Sequence, residues 1–200
     1  MKKITITLTV FITAACIIVS CSKKLDTKEL YQAVVPVAAP ISDTGCLSGA
    51  IKGTMLAGKT YHVCGNIIVN KGDTLTIQEG VTIDFKGNYG LGVKGSLVCL
   101  GTREHPNWIT QLGVVKTDQV GADPSKDPAY AGKWTGIMGD TSCYLMIIKW
   151  THIEFGGGAP SGTVAAISKS PYPVFFQNPH GIFVLEDSWL YGSVDDPFRI

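Results

Sequence analysis

Cys21 carries the most specific chemistry in this chain. It ends the run Ile17-Ile18-Val19-Ser20-Cys21, behind Lys2-Lys3 and an uncharged stretch from Ile4 to Ser20. A basic start, a short apolar run and a small residue before the cut make a secretory signal. A cysteine at the cut is the residue whose thiol is acylated as it becomes the new N-terminus. Cys16, after Thr13-Ala14-Ala15, is a rival acceptor with a shorter apolar run before it. Read as a transmembrane helix, Ile4–Ser20 sits at the lower edge of the ~17–25 residues that span a bilayer. It also holds four threonines and a serine. Other chemistry-bearing types are sparse. His152 and Glu154 share an alternation-defined face and could pair as acid and base or hold a metal. Asp187, Asp195 and Asp196 could join Glu154 around calcium, which takes several oxygens. Asp118, Asp123 and Asp127 lie in a Gly/Pro/Asp loop without EF-hand spacing. For both carboxylate groups the ordinary alternative is a solvated surface. Trp134, Trp150, Tyr172 and Trp189 are candidates for stacking on sugar rings, with core or corner filling as the alternative.

Four cysteines remain beyond Cys16 and Cys21: Cys46, Cys64, Cys99 and Cys143. No pair has CxxC spacing and no Cys/His cluster has zinc-ligand spacing, so no metal site is assigned. In an exported protein disulfides persist. Cys46–Cys64 is the preferred bridge, tying the start of the fold to its first strand. Cys99 and Cys143 read as buried thiols, which pack as small hydrophobes.

Composition narrows the class. The chain has 200 residues and a net charge of +1, with 16% charged residues, 23 glycines and 10 prolines. No basic patch of the kind that draws nucleic acid is present. Residues 1–20 read as signal, 21–44 as a flexible tether with Pro36 and Pro40, and 45–200 as one folded domain.

From Gly45 onward, short apolar triplets alternate with Gly, Asn and Asp. Ile67-Ile68-Val69, Leu75-Thr76-Ile77 and Val81-Thr82-Ile83 are followed by Leu91-Gly92-Val93, Leu97-Val98-Cys99 and Ile109-Thr110-Gln111, at offsets of 24, 22 and 28 residues. Trp134–Ile137, Leu145–Ile148 and His152–Phe155 make a third set. Val164–Ile167, Ile182–Leu185 and Ser188–Tyr191 make a fourth. Thr151–Gly156 matches Asp187–Gly192 at an offset of 36. Three short strands per period in the low twenties predict an all-β solenoid, a parallel β-helix of about four coils. Each coil would stack on the next at the ~4.8 Å strand spacing. Alternation places Leu75, Ile77, Val81, Ile83, Leu97, Cys99, Ile153, Phe155, Trp189 and Tyr191 inside, and His152 and Glu154 outside. Gly80 and Gly87 are expected at corners. Almost no helix is expected after residue 45.

Gly72-Asp73-Thr74-Leu75-Thr76-Ile77-Gln78-Glu79-Gly80, Trp134-Thr135-Gly136-Ile137 and Trp150-Thr151-His152-Ile153-Glu154-Phe155-Gly156-Gly157 resemble the coil phrases of secreted right-handed parallel β-helix proteins. That fold is pectate-lyase-like and frequent among surface lipoproteins of Bacteroidetes-type bacteria. The resemblance covers about residues 46–192. It implies a lipid-anchored protein of the cell envelope, at the outer membrane. It implies fold more than activity, because its motifs are corner glycines and core residues. Such proteins run to more coils, so Ile200 reads as the end of an N-terminal part.

Lyases of this fold use calcium and an arginine or lysine base, for which Arg199, Lys149 and Lys169 are available. No lyase signature, G-x-S-x-G, P-loop or dinucleotide fingerprint occurs. The reading therefore leans to a non-catalytic binding or adhesion scaffold for glycan or protein, without a cofactor. A polysaccharide lyase or glycoside hydrolase is the alternative.

Overall fold

The computed structural model describes residues 38–114, 132–159 and 172–200. Cys21, the signal, most of the tether, Asp118, Asp123 and Asp127, and the strand expected at 164–167 lie outside them. The compact unit is Val35–Ile200.

The described residues form fifteen strands and no helix, so the protein is all-β. Every ladder is parallel. The first joins β2 (Gly53–Met55), β4 (Thr74–Ile77), β7 (Ser96–Leu100), β10 (Leu145–Lys149) and β13 (Ile182–Glu186). The second joins the first half of β3 (Thr60–Val69) to β5 (Thr82–Phe85), β8 (Asn107–Thr110), β11 (Thr151–Glu154) and β14 (Trp189–Tyr191). The third joins the second half of β3 to β6 (Gly90–Val93), β9 (Gly136–Gly139), β12 (Val174–Phe176) and β15 (Phe198–Arg199). β1 (Cys46–Ala50) lies beside β3. Residues at the end of the expected tether join in. Ile41 donates its N–H to Thr54 O at 2.8 Å, and Pro40 bridges Thr54.

Parallel strands buried on one side alternate in burial, and the buried positions of all three ladders meet in one core. Tyr61, Ile83, Ile109 and Ile153 come from the second ladder, Leu75, Leu97, Met146 and Ile148 from the first, and Ile67, Leu91, Ile137 and Val174 from the third. Eight of the ten expected interior residues are fully or almost fully buried there, from Leu75 to Phe155.

Trp189 and Tyr191 are the two exceptions. Trp189 is 45% exposed and Tyr191 half-buried, because Leu190 is the residue that faces Ile153. The offset between β11 and β14 is therefore one residue longer than expected. The error has a physical source. Aligning Gly156 with Gly192 assumes that a glycine marks the same corner in both copies. In the structure Phe155 aligns with Gly192, and both are left-handed, with φ of 62° and 69°. A phenylalanine there pays a strain that glycine avoids. A one-residue shift exchanges the two faces of a strand.

The other offsets behave differently. Ile67↔Leu91 and Leu75↔Leu97 pair as expected, while Ile109 pairs with Ile83 rather than Val81. That error is two residues, so the facing survives. Gly80 does turn a corner with φ 69°, equivalent to Gly58, Trp150 and Asp187 at φ 68°, 45° and 47°. Gly87 is not among the left-handed residues. Strands β1, β2, β12, β15 and the first half of β3 were not expected.

Cys46 and Cys64 form a disulfide with their Cα atoms 5.6 Å apart. Closing a loop of this length stabilises by about 3 kcal/mol in the chain-entropy model. Cys46→Ser with Cys64→Ser is expected to lower unfolding free energy by about that amount in urea titrations, and non-reduced peptide mapping should recover the 46–64 link. A free Cys46 thiol in that map would exclude the pairing. Cys99 and Cys143 are free and buried. Burial raises both thiols, and for Cys143, with the Asp140 charge adding, up to about 12. Neither is therefore a ready thiolate nucleophile.

Candidate functional site

The outer side of the second ladder concentrates the chemistry. Two files of side chains run across its strands. One is Thr60, Thr82, Trp108, His152 and Trp189, in register from β3 to β14. The other, two positions further along each strand, is His62, Asp84, Thr110, Glu154 and Tyr191.

The first file is aromatic. His152 is sandwiched between two indoles, with ring centroids 3.8 Å from Trp108 and 4.3 Å from Trp189, and planes tilted by 6° and 7°. Face-to-face stacking uses up both faces of His152 and one face of each tryptophan. The stack therefore presents ring edges along the flank. Trp150 leans on Trp189 at 5.8 Å and 51°.

The second file holds two carboxylates. Asp84 has a side chain 1% exposed. Its Oδ2 lies 3.0 Å from His62 Nδ1 and is ion-paired with Lys86. Its Oδ1 accepts the Leu112 N–H at 2.9 Å. Burial by itself would raise this carboxyl. The bonds from Lys86, Leu112 and His62 outweigh it and hold the group below the ordinary aspartate value. Glu154 is 4% exposed and accepts the Thr110 hydroxyl at 3.2 Å. A solvated Glu154 was expected. The 111–114 segment lines one pocket with it.

Between the files and that segment lies a groove of about 370 Å³, within the range of small-ligand sites. Thr82 and Trp108 form one bank, Thr110 and Glu154 the floor, and residues 112–114 the other bank, with Phe155 at one end. Asp84 pins that second bank through the Leu112 N–H. Asp84 and Glu154 stand two strands apart, about 10 Å at the usual strand spacing. That is near the separation of an inverting glycosidase pair. Asp84, however, is not part of the groove lining, and its oxygens are engaged elsewhere. Among the described residues the groove is thus lined by one carboxylate, that of Glu154.

The expected aromatic platform is assembled only in part. Trp134 is fully buried, stacked on Phe85 at 4.4 Å, and its indole N–H donates to Glu154 O at 2.6 Å. It fills the core and cannot reach a sugar. Tyr172 precedes β12 on the third ladder, where its hydroxyl accepts from Arg199 Nη1 at 2.6 Å beneath the guanidinium. Of the four expected residues, Trp150 and Trp189 meet on the second ladder's flank, with ring centroids 5.8 Å apart. Trp108, which no motif singled out, lines the groove together with Phe155. Its pairing with His152 on the neighbouring strand could have been found by extending the outward alternation of β11 to β8. Among the described residues no three His, Cys, Asp or Glu side chains converge as a metal site.

No family model and no solved structure matches the chain. Among curated proteins, the Drosophila melanogaster protein named Protein bark beetle is 35% identical over 88 residues. The match takes in 40% of this chain and 3% of that protein's length. A shared stretch of that size carries no activity across.

Proposed function

We propose that this chain is a lipid-anchored cell-envelope scaffold, a right-handed parallel β-helix that binds glycan along one flank without catalysing a reaction. Three parallel ladders that share one core, each strand bonding its counterpart in the next coil, support the solenoid reading. Right-handedness follows from the rule for parallel crossovers. The Lys2–Cys21 signal supports the anchor and the outer-membrane address. Acyl chains contribute ~0.8 kcal/mol per buried methylene, and more than one chain anchors stably. The observation that carries the binding role is the Trp108–His152–Trp189 file beside the groove. Stacked aromatics and a polar floor suit a hydroxyl-rich ligand.

The test has two readouts. Cys21→Ala should move the protein out of the membrane fraction and leave an unprocessed precursor. Trp189→Ala should weaken retention on immobilised polysaccharide while thermal stability changes little, since Trp189 is an exposed end of the stack. Membrane association by a processed Cys21→Ala chain would place the anchor elsewhere. Capture of protein partners with no polysaccharide retained would replace glycan by protein as the ligand.

A further inference from the structure

We infer that the corner where Trp150, Asp187 and Trp189 meet is a subsite for a protonated amino sugar, with the indoles taking the ring and the Asp187 carboxylate taking its ammonium group. The inference rests on the glycan-binding reading above and deepens it by naming the class of sugar. Three observations carry it. First, the pieces stand together. The register that pairs Lys149 with Glu186 and His152 with Trp189 sets Asp187 next to Trp150, about 4.8 Å away at the usual strand spacing. Trp150 leans on Trp189 with ring centroids 5.8 Å apart and planes at 51°, so the two indoles form a bent wall rather than a closed stack. His152 covers one face of Trp189, and Trp189 still keeps 45% of its surface open. Second, the Asp187 carboxylate is uncommitted. The residue is exposed, and among the described residues no hydrogen bond or ion pair engages its side chain. Glu186 and Lys149, the charges beside it, are paired with each other at 2.7 Å. A carboxylate next to indole faces suits an organic cation, because both the charge and the ring quadrupole attract it. Third, the corner is strained. Trp150 and Asp187 are left-handed, with φ of 45° and 47°, where the equivalent corners hold Gly58 and Gly80. A bulky residue in that conformation is an outlier, and strain of this kind is retained at functional sites.

The combination selects a hexosamine. That sugar presents an apolar C–H face and an ammonium group on one rigid ring, whereas a lysine holds its charge at the end of a flexible stem. An N-acetylated ring keeps the face and loses the charge.

The experiment is calorimetric titration of the detergent-solubilised full chain with glucosamine tetramer, N-acetylglucosamine tetramer and tetralysine, at mildly acidic pH where the sugar amines are protonated. Glucosamine tetramer should bind about tenfold more tightly than the N-acetylated one, each of the two attractions being worth a few-fold at an exposed site. Asp187→Asn keeps the residue's size and its tolerance of the left-handed corner, and should cut the preference to about threefold. Trp150→Gly relieves the corner, so folding is spared. It removes an indole without touching a charge and should cut the preference as far, which a general attraction between a polycation and an acid would not show. Equal or tighter binding of the N-acetylated tetramer would overturn the inference and leave glycan binding standing. A preference that neither variant moves would place the site elsewhere and likewise overturn it. Tetralysine bound as tightly as glucosamine tetramer would overturn it too, since the sugar ring would then contribute nothing. No binding of either saccharide would overturn it and count against the glycan reading as well. Retention on immobilised polysaccharide then separates the two.

Discussion

Ile153→Asp is expected to unfold the protein. Ile153 is fully buried between Ile109 and Leu190 in the second ladder, with no polar partner offered on that side of the strand. An isolated carboxylate in such a setting either stays charged without solvent or takes up a proton and still lacks hydrogen bonds. Losses above about 4 kcal/mol are typical of this mechanism. They consume much of the 5–15 kcal/mol that ordinarily holds a domain together. His152→Ala, one position away, should cost about 1 kcal/mol, the loss of two ring stacks on a half-open flank. Urea titrations of the two variants give the contrast directly. Similar losses would mean that the β11 register differs by one residue from the one described.

That neighbouring pair also shows what could be read from the chain alone. Where strands are short and flanked by small or polar turns, as at Leu75-Thr76-Ile77 and Leu97-Val98-Cys99, alternation and spacing predicted both the facing and the partner. These pairs sit before the long insertions, so the count between equivalent positions is nearly constant. After residue 111 the count swings from 22 or 24 to more than 40, and the register must be carried by corner residues instead. Corners are read through glycine, and three corner residues here are not glycine. Trp150, Phe155 and Asp187 take left-handed conformations without the residue that announces them. Trp189 and Tyr191 were turned inward for that reason alone.

The groove was invisible for a different reason. Its second bank is a loop tied to the sheet by the Leu112 N–H on Asp84 and by Val114 packing on the core, and nothing in the Gln111–Val114 sequence announces the bond. His152 and Glu154 were legible as one outward face. That Trp108 would stack on the first, and that Thr110 would bond the second, depended on partners 44 positions back along the chain.

Asp84→Ala should weaken the fold substantially and should reshape the acid response. In the folded chain Asp84 holds three donors from a nearly closed position, and its removal strands the Leu112 N–H while Lys86 and His62 turn to water. Deleting a buried acceptor of charged and backbone donors costs on the order of 2–3 kcal/mol. The sign with pH follows from the lowered carboxyl of the folded state. A group that binds its proton less readily when folded adds stability above its unfolded pKa and loses it as pH falls through the folded one. Wild type should therefore be at full strength near neutrality and weaken progressively below about pH 4. Asp84→Ala should start lower and show a flatter acid limb, since the group responsible for part of the slope is gone. Amide hydrogen exchange adds a local reading, because the Leu112 N–H should lose protection in the variant while core amides such as Ile153 keep theirs. Unchanged Leu112 protection would show that the groove wall is held by other contacts, and a parallel acid limb would show that Asp84 is not a source of the pH dependence.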